Sequence, residues 1–203
     1  MSSPNVSFEV VDGIAFTYVN GVKGLLNRND AAIITEHARQ LPKGAKYVET
    51  GAYLGCSTLL VALFSDATVW AHDIWIAEWE NNKDASDKEC IKTENFFYEF
   101  YNAVKKNNLQ NRVIPIRGDS AYTLGIHDPE TIDLAFIDGD HTYEGALKDF
   151  RKIYPLMKKG GVILAHDCTK GGPPLKALIE FSREKDISFE VFPNTTGLAR
   201  IIV

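Results

Sequence analysis

Acids recur where strand-like segments end: Glu49, Asp73, Asp119, Asp138 and Asp167. The most informative stretch is Tyr47-Val48-Glu49-Thr50-Gly51-Ala52-Tyr53-Leu54-Gly55-Cys56-Ser57-Thr58. It reads as a strand ending on an acid, a glycine turn, and the start of an apolar helix. Gly51 and Gly55 let the backbone turn sharply and approach a ligand. The first turn of the helix offers free N–H groups. A dinucleotide fingerprint would read Gly-x-Gly-x-x-Gly, and a Walker loop would end in Gly-Lys-Ser/Thr; the stretch has neither. An acid at the strand end repels phosphate and holds an ammonium group. The ligand implied is a nucleoside with a positive charge and no phosphate. Asp73 lies about twenty residues on, at the end of the next strand, where related folds place an acid on a ribose diol.

Asp138 and Asp167 close two further strand-like runs, Ile132 to Asp138 and Val162 to Asp167. Paired at adjacent strand ends, they suit a cation or a catalytic role; the plainer alternative is two acids facing water. His141 follows Asp138 by three residues. A histidine titrates near neutral pH and can serve as a general base or ligand, or it is a structural neighbour of a helix start. His72 and His166 sit within strands and read as buried, hydrogen-bonded side chains. Cys56 and Cys168 lack an evident partner base and read as buried thiols.

These residues need a scaffold of alternating strands and helices. A helix is expected from about Arg28 to Leu41, capped by Asn29 or Asp30 and stopped by Pro42 and Gly44. Strands are expected near Lys46–Glu49, Ala67–Asp73, Val113–Arg117, Ile132–Asp138 and Val162–Asp167. Helices follow near Ser57–Phe64, Lys92–Asn107, Ala121–Leu124, Tyr143–Leu156 and Leu175–Lys185. Pro115 suggests that its strand lies near an edge or a bulge. Ile187–Phe192 and Leu198–Val203 predict a closing antiparallel hairpin. Such alternation predicts an α/β fold with a mostly parallel, seven-stranded sheet and helices on both faces. Ligands in such sheets bind beyond the carboxyl ends of the strands, near the switch point. Phe8–Val10 and Ile14–Val19 read as short extended pieces split by Asp12-Gly13. The stretch from Trp75 to about residue 91 reads as an irregular insertion, whose Trp75 and Trp79 either cover the core or line an acceptor pocket.

The chain has 203 residues, which fits a single domain, with residues 1–27 as an N-terminal extension. Its formal net charge is −5, with no basic block, which argues against a nucleic-acid surface. Three cysteines are too few and too scattered for a disulfide framework or a zinc knuckle. No signal peptide and no membrane-spanning run are apparent, so a cytoplasmic protein is expected.

The stretch from Val48 to Ser57 resembles the first motif of class I S-adenosylmethionine-dependent methyltransferases. Within them it is similar to the catechol and caffeoyl-CoA type O-methyltransferases and to the group whose fourth strand ends in Ile-Asp-Gly-Asp-His, here Ile137 to His141. The resemblance runs from about Arg28 to the C-terminus. It implies a Rossmann-like, doubly wound fold and S-adenosyl-L-methionine as cofactor. It places Glu49 on the methionine amino group, Gly51 and Tyr53 in the turn, and Ser57 on the methionine carboxylate. Asp73 falls on the ribose, and Gly118, Asp119 and Ser120 border the adenine. Asp138 lies by the sulfonium and, with Asp167, binds Mg²⁺ or another divalent cation in the metal-dependent members. His141 stands where the catechol-type enzymes carry a lysine base. The family often has Asn after the second acid; here it is Cys168, a poor partner for a hard cation. The acceptor implied is a small hydroxylated molecule, methylated on oxygen. Two alternatives are a metal-independent transferase with His141 as base, and a cofactor-binding protein without catalysis. The superfamily implies a homodimer.

Overall fold

The computed structural model describes residues 3–76 and 95–203. The expected insertion beyond Ile76, with Trp79 and Cys90, lies outside the described residues.

Strands β1 (Val6–Val11), β2 (Ile14–Val19) and β3 (Val22–Gly24) form an antiparallel meander. Its two loops are Asp12-Gly13 and Asn20-Gly21, and all four residues have positive φ, between 49° and 84°. Two-residue loops of this kind match the twist of paired strands. The Asp12-Gly13 turn was legible in the sequence; β3 and its Asn20-Gly21 turn were not foreseen.

Helix α1 spans Arg28–Gln40. Its N-cap is Asn27, two or three residues before the expected caps Asn29 and Asp30. Asn27 Oδ1 accepts from the N–H groups of Asn29 and Asp30, and Asp30 returns the bond to the Asn27 N–H. This reciprocal pairing satisfies two orphan donors and fixes the start.

The main sheet contains β4 (Lys46–Thr50), β5 (Thr68–Asp73), β6 (Val113–Arg117), β7 (Ile132–Ile137), β8 (Met157–Ala165), β9 (Phe189–Val191) and β10 (Ala199–Ile202). Their order is β6-β5-β4-β7-β8-β10-β9. The first five run parallel, and β10 is antiparallel to both β8 and β9. β6 is the edge strand, which explains why Pro115 is tolerated there. Helix α2 (Cys56–Phe64) follows β4, and α3 (Phe96–Lys106) and the short α4 (Ser120–Thr123) flank β6. α5 (Tyr143–Ile153) follows β7, and α6 (Pro173–Lys185) follows β8. α6 starts two residues earlier than expected, because a proline at the first helical position loses no hydrogen bond.

Helices cover both faces. On one, Ile34 of α1, Leu59 and Leu60 of α2 and Phe100 of α3 bury against Tyr47, Val69 and Phe136. On the other, Phe150 of α5 and Phe181 of α6 bury against Val48, Ala135 and Ile163. Alternation along β4 therefore sends Val48 to one core and Tyr47 and Glu49 to the other. Strand order reverses between β4 and β7, and the ends of these two strands are where the acids gather. Among the described residues, no helix is long and apolar enough to cross a membrane.

One buried polar pair supports the sheet edge beside the site. His72, at the end of β5, and His127 face each other with their Nε2 atoms 2.9 Å apart. Two nitrogens at that distance share one proton, so at least one ring is a neutral acceptor. His72 Nδ1 lies 2.9 Å from the Thr123 hydroxyl, which ties β5 to α4. Burial pushes His72 down to about 3, with His127 and Lys46 adding to the effect. Burial and Lys46 lower His127 to about 4, against a smaller opposing pull from Asp128. Both folded values lie below the unfolded value of about 6.5. The stabilisation is therefore complete above that pH and is lost as pH falls toward the folded values. The midpoint of urea denaturation should fall between pH 7 and pH 4.5, and less steeply in His127→Gln than in wild type. Equal slopes would show that the pair does not govern the acid limb.

Candidate active site at the β4, β7 and β8 strand ends

The glycine turn after β4 is forced by a neighbour. Gly51 has φ +85°, and a Cβ there would sit 2.0 Å from the carbonyl oxygen of Asp138. The Gly51 N–H donates to the His72 carbonyl at 2.9 Å, and the Asp138 N–H donates to the Thr50 carbonyl at 2.9 Å. The ends of β5, β4 and β7 are thus joined at one point. Gly55, φ +93°, caps α2 without a side chain to occupy the first-turn N–H groups.

Glu49 is fully buried. Its carboxylate accepts from the hydroxyls of Ser57 and Thr58, both in the first turn of α2. Among the described residues no Lys, Arg or His pairs with it. Burial raises its pKa to about 8; the two hydroxyls oppose this, and Asp138 and Asp73 add to it. Asp73 is also raised by burial, against backbone donors. Its Oδ2 accepts from the Tyr53 N–H at 2.8 Å and its Oδ1 from the Trp75 N–H at 2.6 Å. Tyr53 takes a left-handed φ of 47°. Trp75 is buried, donates from Nε1 to the Tyr53 carbonyl at 2.8 Å, and packs on Phe97 and Phe100. Of its two expected roles, the structure gives it the core one.

The second group lies across the turn. Asp138, His141 and Asp167 present ligand atoms that all lie within 4.8 Å of one another. His141 Nε2 is 3.6 Å from Asp138 Oδ1 and 3.2 Å from Asp167 Oδ2. Asp138 holds His141 at about 9, against a smaller burial effect. Cations bind such oxygens at about 2.0–2.6 Å, so small side-chain rotations would close this set on one ion. The two carboxylates suit Mg²⁺ or Mn²⁺, whereas an imidazole suits later divalent metals such as Fe²⁺ or Zn²⁺. Cys168 is not among the converging atoms: its thiol is buried, pushed up to about 12 by that burial, and turned to the His166 carbonyl at 3.6 Å. The position where the family often has Asn thus adds no ligand here.

His166, expected as a structural strand histidine, is buried but belongs to this group. Its Nδ1 is 3.2 Å from Asp138 Oδ1 and 3.4 Å from Asp167 Oδ2. Its Nε2 is 2.7 Å from the Thr196 hydroxyl, which in turn donates to Asp30. A hydroxyl has one proton. With that proton on Asp30, Thr196 accepts from His166 Nε2–H, while Nδ1 faces carboxylates and also donates. The ring therefore carries both protons and a positive charge. Burial alone would lower its pKa, but Asp138 and the other acids raise it well above the ordinary value. Asp138 ends below its usual range because His166 and His141 outweigh its burial.

Gly118, Asp119 and Ser120 lie together after β6. Asp119 caps α4 through the Ala121 N–H at 2.8 Å and pairs with Lys148 at 3.3 Å. The Ser120 hydroxyl donates to Asp149 at 2.6 Å. Asp149 is a buried acid on α5 that was missed. Its signal was present: it stands among Ala146, Phe150 and Ile153 on the apolar stripe of the helix.

A family model described as a methyltransferase domain matches residues 48–168. The chain therefore belongs to the methyltransferase-domain family. The structure is similar to that of the O-methyltransferase NovP, with a TM-score of 0.69 and 19% identity, covering 88% of this chain and 81% of that one. It is also similar to a putative caffeoyl-CoA O-methyltransferase from Staphylococcus aureus, with a TM-score of 0.67 and 14% identity over 88% and 85% of the two chains. An SAH-bound methyltransferase from Podospora anserina has a TM-score of 0.63 and 20% identity over 87% and 78%. At these identities the likeness establishes the shared Rossmann-like fold. In sequence, an uncharacterized protein of Acanthamoeba polyphaga mimivirus is 35% identical over 81 residues, 34% of this chain and 37% of that protein. The chain thus spans little more than a third of that relative's length.

The Gly51 contact can be tested directly. Gly51→Ala should destabilise the protein by at least about 1–3 kcal/mol from backbone strain alone, read as a lower urea midpoint. It should also abolish cofactor binding in a calorimeter. An alanine variant with wild-type stability would mean that the β4 and β7 loops are free to separate.

Proposed function

We propose that the protein methylates an oxygen of a small hydroxylated acceptor, with S-adenosylmethionine as donor and a divalent cation held by Asp138 and Asp167. The observation that carries this reading is the convergence of Asp138, Asp167 and His141 on one point beside the Gly51 turn. The cofactor residues fit the donor as well. Glu49 is a buried carboxylate without a cation among the described residues, and the methionine ammonium supplies one. On this reading Asp73 would take the ribose, Gly118, Asp119 and Ser120 would border the adenine, Ser57 would meet the methionine carboxylate, and Asp138 would face the sulfonium.

A divalent cation at these acids would bind the acceptor oxygen and favour its deprotonated form. His141 takes the acceptor proton on Nε2. That nitrogen accepts a proton only when the ring is neutral, and Asp138 and Asp167 hold it protonated to about pH 9. Compensation of the two carboxylates frees it as a base, which favours the cation reading. Fixing donor and acceptor in line supplies much of the remaining rate. The second reading, a metal-independent transferase with His141 as sole base, draws on Cys168 at the position of a family ligand.

Calorimetry with S-adenosylmethionine tests the donor: wild type should bind, and Glu49→Ala should bind at least tenfold more weakly. Wild type without affinity, or a variant equal to it, would sink the donor assignment. For the chemistry, activity should vanish with chelator and return with Mn²⁺ or Mg²⁺. His141→Ala should lower kcat by about 10²–10⁴ and leave Mn²⁺ affinity unchanged. A parallel loss of Mn²⁺ affinity would make His141 a ligand and not the base. Activity indifferent to chelator would favour the second reading.

A further inference from the structure

The segment that carries Asp167 is held from behind by the turn between β9 and β10. Asp167 itself has φ +56°, in the left-handed region that a side chain rarely adopts. Three contacts keep it there. The Cys168 N–H donates to the Gly197 carbonyl at 2.8 Å. A Cβ on Gly197 would lie 2.8 Å from the Thr169 nitrogen and from the Cys168 carbonyl carbon, so the two backbones lie against each other. Thr196 then reaches past the backbone to His166, with its hydroxyl 2.7 Å from Nε2. Thr196 is fixed in its turn: its hydroxyl and its N–H both donate to the carboxylate of Asp30, which is fully buried in the first turn of α1. On the other side of the ring, Nδ1 stands between Asp138 Oδ1 and Asp167 Oδ2, at 3.2 and 3.4 Å.

We propose that Thr196 and Asp30 are positioning residues for the cation site. They lock the His166 ring, and the ring sets the spacing and aim of the Asp138 and Asp167 carboxylates. The inference rests on the cation reading above. It adds that α1 and the C-terminal hairpin, which contribute no expected ligand, set how well the site binds. Outer hydrogen-bond partners of metal ligands act in this way, and their loss commonly costs 10–100-fold in affinity.

Thr196 is the better probe, because Asp30 also caps α1. Thr196→Val keeps the shape and removes the hydroxyl; Thr196→Ser keeps the hydroxyl. Mn²⁺ is titrated into each full-length protein in a calorimeter, S-adenosylmethionine separately, and Tm is recorded. Thr196→Val should bind Mn²⁺ about 10-fold more weakly, with S-adenosylmethionine affinity unchanged. Thr196→Ser should match wild type for Mn²⁺. A Thr196→Val protein with lowered Tm but wild-type Mn²⁺ affinity would reduce Thr196 to a stability role and overturn the assignment. So would a Thr196→Ser protein that folds like wild type and still binds Mn²⁺ weakly. Failure of wild type itself to bind Mn²⁺ overturns the cation reading and this assignment with it, and is told apart because it appears without any substitution.

Discussion

Acids crowd one edge of the sheet, and those taken out of water, Glu49, Asp30 and Asp149 above all, must be compensated there. Removing an isolated carboxylate from water costs several kcal/mol even after relaxation. The chain meets this cost almost entirely with neutral donors. Glu49 takes two hydroxyls, Asp73 takes two backbone N–H groups, Asp149 takes Ser120, and Asp30 takes Thr196 with two backbone N–H groups. A hydrogen bond to a charged group is worth about 1.5–3 kcal/mol, so such pairs offset part of the desolvation without adding positive charge, and Glu49, Asp73 and Asp149 stay above their ordinary pKa. Lys and Arg are kept to the periphery, as in the Lys148–Asp119 and Arg151–Glu184 pairs. The described cations among the central acids are the imidazoles of His166 and His141. A site built this way leaves Glu49 without a cation among the described residues, so that a cationic ligand would favour its ionised form.

Sheet topology decides where that charge collects. Parallel strands point their carboxyl ends the same way, and the reversal of order between β4 and β7 opens a gap there. Glu49 and Asp138 come from the two strands that flank this gap, Asp73 and Asp167 from their outer neighbours. Gly51 is the point at which the loops touch, because only a residue without Cβ lets the Asp138 carbonyl pass. One backbone contact thus links the turn expected to hold the cofactor to the acids expected to do the chemistry.

Much of this was legible in the sequence because it is local. Strand and helix alternation, Pro115 at an edge and the acids at strand ends follow from patterns within a few residues. What stayed hidden depends on distant partners. His166 looked structural because strand neighbours say nothing about a hydroxyl 30 residues later in the chain. Asp30 looked like a helix cap, which it partly is; its second task needs Thr196, 166 residues away. Asp149 was hidden by its helix, although an acid on an apolar stripe is a detectable fault in the pattern. The start of α1 at Arg28 was legible, but its cap was misplaced because Asn27, Asn29 and Asp30 each satisfy the N-cap rule, and only the reciprocal bond between Asn27 and Asp30 separates them.

His166 also explains why α1 and the closing hairpin bear on a site to which they supply no expected ligand. The buried imidazolium between Asp138 and Asp167 is held at its far nitrogen by Thr196, whose own proton is taken by Asp30, and by the Asp30 carboxylate itself, 3.6 Å from Nε2. Break the chain at Asp30 and Thr196 can turn its proton toward the ring, so that Nε2 no longer has a reason to donate. The ring would then lose its outer anchor, while Asp138 and Asp167, which do most to keep it charged, would still face Nδ1 at 3.2 and 3.4 Å. An acid at the head of the first helix thereby helps to fix the orientation of a histidine at the end of the fifth strand of the main sheet.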